Sequence, residues 1–443
     1  MEQRRREAPR EEPGFRAGET GDGAGSPAGA GAGGPVEGLG PLPGPVGLGA
    51  GPHGPGAGQD GPAAGGGPVA GGGGPVPGRR GGEGDTRGAE GPVDWLGLLP
   101  GQLGEVLSGW GEPPYRGGQV FAWMHGRQVT DFAAMTDLPN ALRRRLAAAG
   151  EVPVPRVRRL QVDPVDGTRK YLLELADGQL IETVLMRHRY GLSLCVSSQV
   201  GCRMGCRFCA STLGGLVRNL TAGEMAGQLL VVNRDLAERG ERVSHLVVMG
   251  IGEPLENYEN TLQFLRVAHE PRGAGISYRH MTVSTSGLVP RIRQLARERL
   301  PITLAVSLHA PNDGLRSWLM PVNRKWPIAE LMDACREYVA LTGRRVTFEY
   351  VLIEEVNDRP EHARELAELL RGLLCHVNLI PWNPVSERPF RAPGPERVRA
   401  FARELRARGI NVTVRRELGQ RIEAACGQLR RRELVEAGVA PVR

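Results

Sequence analysis

The sequence predicts an α/β protein whose core is a parallel sheet, preceded by a small helical domain and an unstructured tail. Three observations predict this arrangement. Segments typical of strands and of helices alternate six times between residues 193 and 408, which indicates a parallel sheet, either doubly wound or rolled into a partial barrel. Apolar residues recur at helical spacing within residues 93–150. Residues 13–92 are mostly Gly, Pro and Ala and offer almost nothing to bury.

The tail, residues 1–92, is therefore expected to be disordered. A tether, a charged tail and a misplaced gene start all remain open, since the next Met after Met1 is Met124. We assign no function to this segment.

Two predicted segments connect the tail to the sheet. Residues 93–150 form a helical domain that Pro113 and Pro114 interrupt. Residues 151–192 form a β-hairpin extension, in which "RKYLLEL" and "LIETVLM" flank the turn Asp177-Gly178. Residues 193–443 then form the core domain.

The core alternates regularly between strands and helices. Strands are predicted at 193–199, 244–249, 280–285, 302–308, 345–352 and 376–381. Helices are predicted at 221–239, 257–270, 288–299, 328–342, 359–373 and 395–408. Active sites of such folds lie at the carboxyl ends of the strands.

Polar residues follow the strands at that edge. Five loops contribute them, including "MGIGEPLEN", "TVSTSG", "VSLHAPND" and "LIPWNP". Each residue taken alone is compatible with ordinary turn chemistry. Together the loops predict a site for a polar, charged small molecule. Its candidate residues are Gly252, Glu253, Ser284, Ser307, His309 and Asn383.

Composition restricts the partners and the compartment. The net charge of +7 and the pI of about 9.3 favour a polyanionic partner. No run approaches the roughly 18 apolar residues of a membrane span, and the N-terminus lacks the apolar stretch of a secretory signal. We expect a cytoplasmic protein. Clustered cysteines in that reducing compartment are typically metal ligands or catalytic thiols rather than disulfides.

Four of the seven cysteines lie between positions 195 and 209. Cys202, Cys206 and Cys209 have the spacing C-x3-C-x2-C, and Cys195 precedes them. A structural zinc site usually needs four ligands in two pairs, and no second pair follows. Three thiolates suit a [4Fe–4S] cluster with one open iron. Cys335 and Cys375 are isolated and are expected to fill core.

The C-x3-C-x2-C spacing, with "GEP" after the next strand, resembles the radical S-adenosylmethionine superfamily. The motifs together resemble the RlmN family of dual-specificity RNA methyltransferases, from about residue 95 to 430. The motifs that carry this resemblance are "PYRGGQVFAWMH", "LCVSSQVGCRMGCRFC", "MGIGEPLEN", "TVSTSGLVP", "AVSLHAPND", "LIPWNP" and "IEAACGQL". The resemblance implies a partial (β/α)6 barrel, a cluster on Cys202, Cys206 and Cys209, and S-adenosylmethionine bound at its open iron.

The resemblance also implies the reaction. These enzymes methylate carbon 2 of an adenine in 23S rRNA and in tRNAs. Cys426 matches the cysteine that carries the methyl group, and Cys195 matches the thiol that releases the product by forming a disulfide with Cys426. Glu182 matches the proposed proton acceptor, although a solvated strand glutamate is an open alternative.

For the cofactor, the resemblance implies that Glu253 holds the amino group of S-adenosylmethionine. Gly252, Ser284 and Asn383 complete its site, together with the run Ser307, Leu308 and His309.

Several alternatives stay open. Relatives of the Cfr type methylate carbon 8 of the same adenine and share nearly all these motifs. Another radical enzyme acting on a small molecule or peptide, and an iron–sulfur or zinc protein that only binds RNA, are the other classes. Gln420 and Arg421 stand where the family is usually acidic, which leaves loop packing and local RNA contacts open.

The expected partners follow from the same interpretation. Basic residues are dispersed along the chain, as in "RIRQLARER" and "RRRE", which suits a large folded RNA bound through shape and phosphates. We expect 23S rRNA and tRNA as substrates, a reductant such as flavodoxin or ferredoxin, no membrane, and a monomer.

Overall fold

The structure is a computed structural model that describes residues 93–415, 418–422, 427–436 and 438. The predicted tail, residues 1–92, lies outside the described residues. Within these ranges no helix is long and apolar enough to cross a membrane.

The first described residues are helical. They form α1 (Pro100–Ser108), α2 (Arg116–Phe121), which continues into a π turn (Ala122–Gly126), and α3 (Asn140–Ala148). The residues at predicted helical spacing are buried, among them Leu103, Leu107, Val120, Phe121 and Met124. A periodic apolar stripe is buried because that removes its surface from water.

This helical segment packs on the core through one polar contact of note. The Asp94 carboxylate accepts a hydrogen bond of 2.9 Å from the backbone N–H of Gly223. A Cβ atom at position 223 would lie 1.7 Å from the Asp94 carboxylate. Only glycine lets the Asp94 carboxylate approach this backbone so closely.

Three antiparallel strands follow: β1 (Arg156–Val162), β2 (Arg169–Glu174) and β3 (Leu180–His188). The predicted hairpin is β2–β3, with Gly178 at a φ of 78° in its turn. β1 is not predicted, because all but one of its residues are exposed and it lacks the apolar alternation of a half-buried strand.

The core sheet continues from β3 through β4 (Gly191–Cys195). A small separate ribbon comes next, made of β5 (Gln199–Gly201) and β6 (Leu216–Asn219). The remaining core strands are β7 (His245–Val248), β8 (Met281–Thr285), β9 (Thr303–Ser307), β10 (Val346–Leu352), β11 (Cys375–Pro381) and β12 (Val412–Val414). The main sheet has the order β1-β2-β3-β4-β7-β8-β9-β10-β11-β12.

From β4 to β12 every neighbouring pair of this sheet is parallel. The crossover helices are α4 (Ala222–Ala237), α5 (Tyr258–His269), α6 (Val289–Arg297), α7 (Asp313–Leu319), α8 (Ile328–Thr342), α9 (Pro360–Leu369) and α10 (Pro395–Ala407). All six predicted strands and all six predicted helices are observed. The predicted fold class, a partial barrel in which strands and helices alternate, is confirmed.

Several short core elements were not predicted, among them β6, α7 and β12. α7 has seven residues and β12 has three. Elements this short carry too few residues to show a period.

The chain finally returns to the antiparallel extension and ends its described part in α11 (Gln428–Glu436). The backbone N–H of Gly419 donates to Asp166 at 2.8 Å, and that of Arg421 donates to Asp163 at 3.2 Å. The Arg421 side chain is exposed. An arginine in place of the family's usual acidic residue therefore leaves this backbone contact intact.

Candidate active site

The loop that carries the three spaced cysteines connects β5 to β6, and the pairing of these two strands closes it. The backbone N–H of Cys202 donates to the Gly215 carbonyl at 2.8 Å. The Thr212 hydroxyl donates to the carbonyls of Cys206 and Cys209 at 3.1 and 3.0 Å. These bonds fix the backbone of the loop, so the positions of the three Cα–Cβ bonds are set before any ligand binds.

Two neighbouring elements support the same loop. The Arg207 backbone N–H donates to the Leu319 carbonyl, at the end of α7, at 2.9 Å. The Trp382 indole, after β11, donates to the Phe208 carbonyl at 3.1 Å. The loop is thus held against the carboxyl ends of the barrel strands.

Burial dominates the electrostatics of these thiols. It raises the pKa of Cys202 to about 12 and raises the pKa of Cys206 well above its ordinary value. Neighbouring cysteines and Glu253 raise both pKa values further. The Cys202 and Cys206 thiols are therefore protonated at neutral pH without metal, and binding of iron must displace their protons.

The donor set fits an iron–sulfur cluster better than a single ion. Among the described residues, no three His, Cys, Asp or Glu side chains converge on one metal ion. In a cluster each iron takes its own thiolate, so thiols spread along one loop are suitable. Three soft thiolates would hold three irons, and the fourth iron would stay open for a cofactor.

Glu253 lies in the loop after β7 and is buried. One carboxylate oxygen accepts from the Leu255 N–H at 3.0 Å and the other from the Ser286 N–H at 2.6 Å. Burial raises the pKa of this carboxyl, while these bonds act in the opposite direction. Gly252 beside it has a φ of 116°, and a Cβ there would lie 2.7 Å from the Ser198 hydroxyl oxygen.

His309 follows β9 and is buried in an unusual backbone conformation, with a φ of 56°. Its Nδ1 accepts from the Val351 N–H at 3.0 Å, and its ring meets the Phe208 ring edge-on at 4.8 Å between centroids. Burial lowers its pKa to about 3. The imidazole is therefore neutral, and one nitrogen is already occupied by β10.

The barrel encloses a cavity of about 1290 Å³. Of the predicted site residues, Cys195 and Asn383 line it. Cys195 ends β4, opposite Val184 of β3, and its carbonyl accepts from the Thr183 hydroxyl at 2.6 Å. The wall also includes Met249, Glu349 and Asn378.

Glu182 is buried in β3, so the alternative of a solvated strand glutamate is wrong. One carboxylate oxygen lies 3.0 Å from the Lys170 ammonium and accepts from the Gly427 N–H at 2.8 Å. The other accepts from the Arg430 N–H at 2.6 Å, at the start of α11. Cys426 itself lies outside the described residues, but Gly427 is its neighbour in sequence.

The predicted residues therefore fall into two groups. Glu253 and the cysteine loop form one group, joined to the ends of β8 and β9, which carry Ser284, Ser307 and Leu308. Cys195, Asn383 and Glu182 belong to the cavity side and to the returning C-terminal segment.

The sequence interpretation missed several buried charged residues, and two of them, Lys170 and Arg316, are fully buried. Lys170 has a fully buried side chain in β2, and a lysine just before the apolar run Tyr171–Leu173 of a predicted strand was the available signal. Arg316 on α7 is also fully buried. Nothing in the local sequence distinguishes it from a surface arginine on a short helix.

The partial barrel, its cysteine loop and the buried Glu253 define a radical S-adenosylmethionine enzyme. Residues 196–370 match the model of the radical SAM superfamily, and residues 93–152 match the model of the ribosomal RNA large subunit methyltransferase N-terminal domain.

Curated relatives and a solved structure are similar over most of the chain. The "Probable dual-specificity RNA methyltransferase RlmN" of Symbiobacterium thermophilum is 57% identical over 339 residues, covering 75% of this chain and 91% of that protein. The Geobacillus thermodenitrificans protein of the same name is 54% identical over 335 residues, covering 76% and 92%. A radical SAM methyltransferase from Sphaerobacter thermophilus has 52% identity and a TM-score of 0.73, covering 76% of this chain and 99% of that one.

The chain belongs to the RlmN family. It is an S-adenosylmethionine-dependent RNA methyltransferase of the radical type, and its cofactors are a [4Fe–4S] cluster and S-adenosylmethionine.

Proposed function

We propose that this enzyme methylates carbon 2 of a specific adenine in 23S rRNA and in tRNAs, using Cys426 and Cys195 as two catalytic thiols. One observation carries the proposal best. Cys195 lines the barrel cavity and pairs with Val184 of β3. Glu182 lies two positions before Val184 on the same strand, and its carboxylate accepts from the N–H of Gly427, the residue after Cys426. The contact with Gly427 supports a shared site for these three residues.

The chemistry of the target explains the need for two thiols. Carbon 2 lies between two ring nitrogens and is electron-poor, so it does not attack a methyl group as a nucleophile. The cluster and S-adenosylmethionine together supply a radical when bound. Cys426 carries the carbon to the base. Cys195 then attacks the Cys426 sulfur, so that a disulfide forms while the bond between that sulfur and the carbon breaks. The carbon keeps the electron pair and takes up a proton, and the methylated base leaves. Cytoplasmic reductants return the disulfide to two thiols.

Glu182 is the proposed proton acceptor for carbon 2. In the structure its carboxylate is occupied by Lys170 and two backbone N–H groups. To accept a proton it must exchange at least one of these donors. Glu182 thus has a second part in the proposal, which is to hold the start of α11.

Cofactor binding is assigned to the group around Glu253 and the cysteine loop, together with Asn383 from the cavity wall. Glu253 would accept from the amino group of S-adenosylmethionine, because a buried carboxylate is a strong partner for an ammonium. Gly252, Ser284, Ser307, Leu308, His309 and Asn383 would contact the rest of the cofactor. Cys202, Cys206 and Cys209 would hold the cluster.

The proposal also covers the compartment, the oligomeric state, the electron donor and the roles of the domains. We place the enzyme in the cytoplasm as a monomer, with a low-potential donor such as flavodoxin or ferredoxin. Residues 93–150 act as an accessory domain, 151–192 as the extension and 193–443 as the barrel core. The target adenine must leave its stack to reach the cavity.

Mass spectrometry of nucleosides from rRNA and tRNA tests the function. A strain without the gene is expected to lack 2-methyladenosine, and the gene supplied in trans is expected to restore it. A variant with Cys426→Ala supplied in the same way should not restore it. Loss of 8-methyladenosine instead would overturn the proposal in favour of carbon 8.

Glu253→Gln is expected to weaken S-adenosylmethionine binding by about tenfold or more, because a hydrogen bond to a charged acceptor is replaced by a weaker neutral one. The cluster should remain, since the three thiols are unchanged. Calorimetric titration of the reconstituted protein under anaerobic conditions measures the affinity.

The matched control is Glu256→Gln, three positions away. Glu256 accepts from Gln199 and Arg203 at the cysteine loop, and its change should leave the affinity close to that of the unaltered protein. Equal affinity in Glu253→Gln would show that "GEP" only forms a turn.

A further inference from the structure

Arg316 lies in α7 with a fully buried side chain. Its guanidinium donates four hydrogen bonds to neutral acceptors. Nε donates to the Leu308 carbonyl at 3.2 Å, and Nη1 donates to Asn323 Oδ1 at 2.7 Å. Nη2 donates to the carbonyls of Ser286 at 2.7 Å and Ser307 at 3.0 Å. One side chain therefore ties together the ends of β8 and β9, where the cofactor-binding residues were predicted.

This cation has no carboxylate counter-ion in the part of the chain that the structure describes. None of the ion pairs found there includes Arg316. Asp313, the acidic residue nearest in sequence, favours the charged form of Arg316 without pairing with it. Its carboxylate accepts instead from Asn323 at 2.8 Å and from the Ile328 N–H at 2.9 Å. Burial lowers the pKa of Arg316 to about 10, so it stays charged at neutral pH. A buried charge without an opposite charge is costly.

The cysteine loop lies against the same helix. Cys206 packs with Leu315 and Leu319, which flank Arg316 on α7. The Arg207 N–H donates to the Leu319 carbonyl at 2.9 Å. Cys206 is one of the three thiols that would hold the cluster. The anionic group that this site would acquire beside α7 is thus the cluster with its thiolates.

The neighbouring backbone leaves room for the guanidinium. Gly287 has a φ of 110°, and a Cβ atom there would lie 3.0 Å from Nη2 of Arg316 and 3.2 Å from Leu331. A side chain at position 287 would press on the group that joins the two strand ends. The lack of a side chain at position 287 therefore helps to accommodate the Arg316 guanidinium.

We propose that Arg316 is a positioning residue with two linked effects: it is the counter-charge of the iron–sulfur cluster, and it fixes the strand ends that bind S-adenosylmethionine. A [4Fe–4S] core on three thiolates is negatively charged and becomes more so when it accepts an electron from the reductant. A fixed positive charge in a buried site stabilises the reduced form more than the oxidised form. Arg316 thus raises the reduction potential of the cluster, and it acts on the cofactor through backbone carbonyls rather than by contact.

Three variants separate the charge from the hydrogen-bonding geometry. Arg316→Lys keeps the charge but loses the planar set of donors, whereas Arg316→Met and Arg316→Gln remove the charge. Met fills similar space without a polar group, and such replacements of buried charges are often tolerated, so one neutral variant is available if the other does not fold. Arg324→Gln, which removes an exposed charge shortly after α7, is the matched control.

Two measurements on reconstituted protein decide the proposal, and neither uses RNA. In a redox titration followed by electron paramagnetic resonance, the neutral variants should show a more negative cluster potential, while Arg316→Lys and Arg324→Gln should stay near the unaltered value. In titrations with S-adenosylmethionine, all three Arg316 variants should bind about tenfold more weakly.

An unchanged cluster potential in the neutral variants would refute the proposal that Arg316 is the counter-charge of the cluster. Unchanged affinity of Arg316→Lys for S-adenosylmethionine would refute the proposal that Arg316 fixes the strand ends. Because no RNA is present, either result is independent of which adenine carbon the enzyme methylates.

Discussion

Replacement of Cys202, Cys206 or Cys209 by Ala is expected to abolish both the cluster absorbance and RNA methylation. The three thiols lie on one loop whose backbone is fixed by its own hydrogen bonds. No other described His, Cys, Asp or Glu group joins them as a metal ligand. With two thiolates left, two irons would face solvent, and the cluster would lack the ligands that retain it. Iron and sulfide analysis after anaerobic reconstitution, together with a methylation assay, measures both effects.

Two cysteines of the core provide matched controls for the loss of a thiol. Cys335 and Cys375 are buried among apolar residues on α8 and β11. Their replacement by Ala removes one buried sulfur and should lower stability only modestly, with iron content and turnover retained. A loop variant that kept a full cluster and normal turnover would refute the assignment of its cysteine.

The two proposed catalytic thiols are expected to fail in different ways. Cys426→Ala should prevent methylation of the protein, so neither an S-methyl group nor an RNA adduct should form. Cys195→Ala should still allow both steps, because neither uses the releasing thiol. The product would then stay bound to Cys426, and the protein should migrate as a covalent RNA conjugate that ribonuclease shortens.

Intact-protein mass spectrometry and denaturing gels distinguish these outcomes. The double variant with Cys195→Ala and Cys426→Ala is the control, and it should show no conjugate. If Cys195→Ala turned over normally without a trapped conjugate, the two-thiol mechanism would be wrong. Cys195 would then be a thiol of the cavity wall without a part in product release.

Much of the fold could be predicted because its signals are local. Strand and helix periods and Gly and Pro at the turns are properties of neighbouring residues. The short elements β12 and α7 escaped prediction, since their few residues show no period. β1 escaped because its side chains are largely exposed.

The site residues also differ in whether a local signal in the sequence predicts them. The cysteine spacing and "GEP" follow from local geometry, because one loop must present three thiols and one turn must present a carboxylate. The surroundings of Glu182 could not be predicted. Its partners Gly427 and Arg430 lie more than 240 positions away in sequence, and no local pattern encodes such a contact.

The sequence by itself determined the alternation of the barrel, the position of the cluster loop and, through its motifs, the family. Only the tertiary structure decided the environment of the charged residues. It buried Glu182 against Lys170, made His309 neutral by burial, and placed the unpaired cation of Arg316 beside the cysteine loop. The physical reason is that periodicity depends on adjacent residues, whereas burial and pairing of charge depend on elements that meet only when the barrel closes.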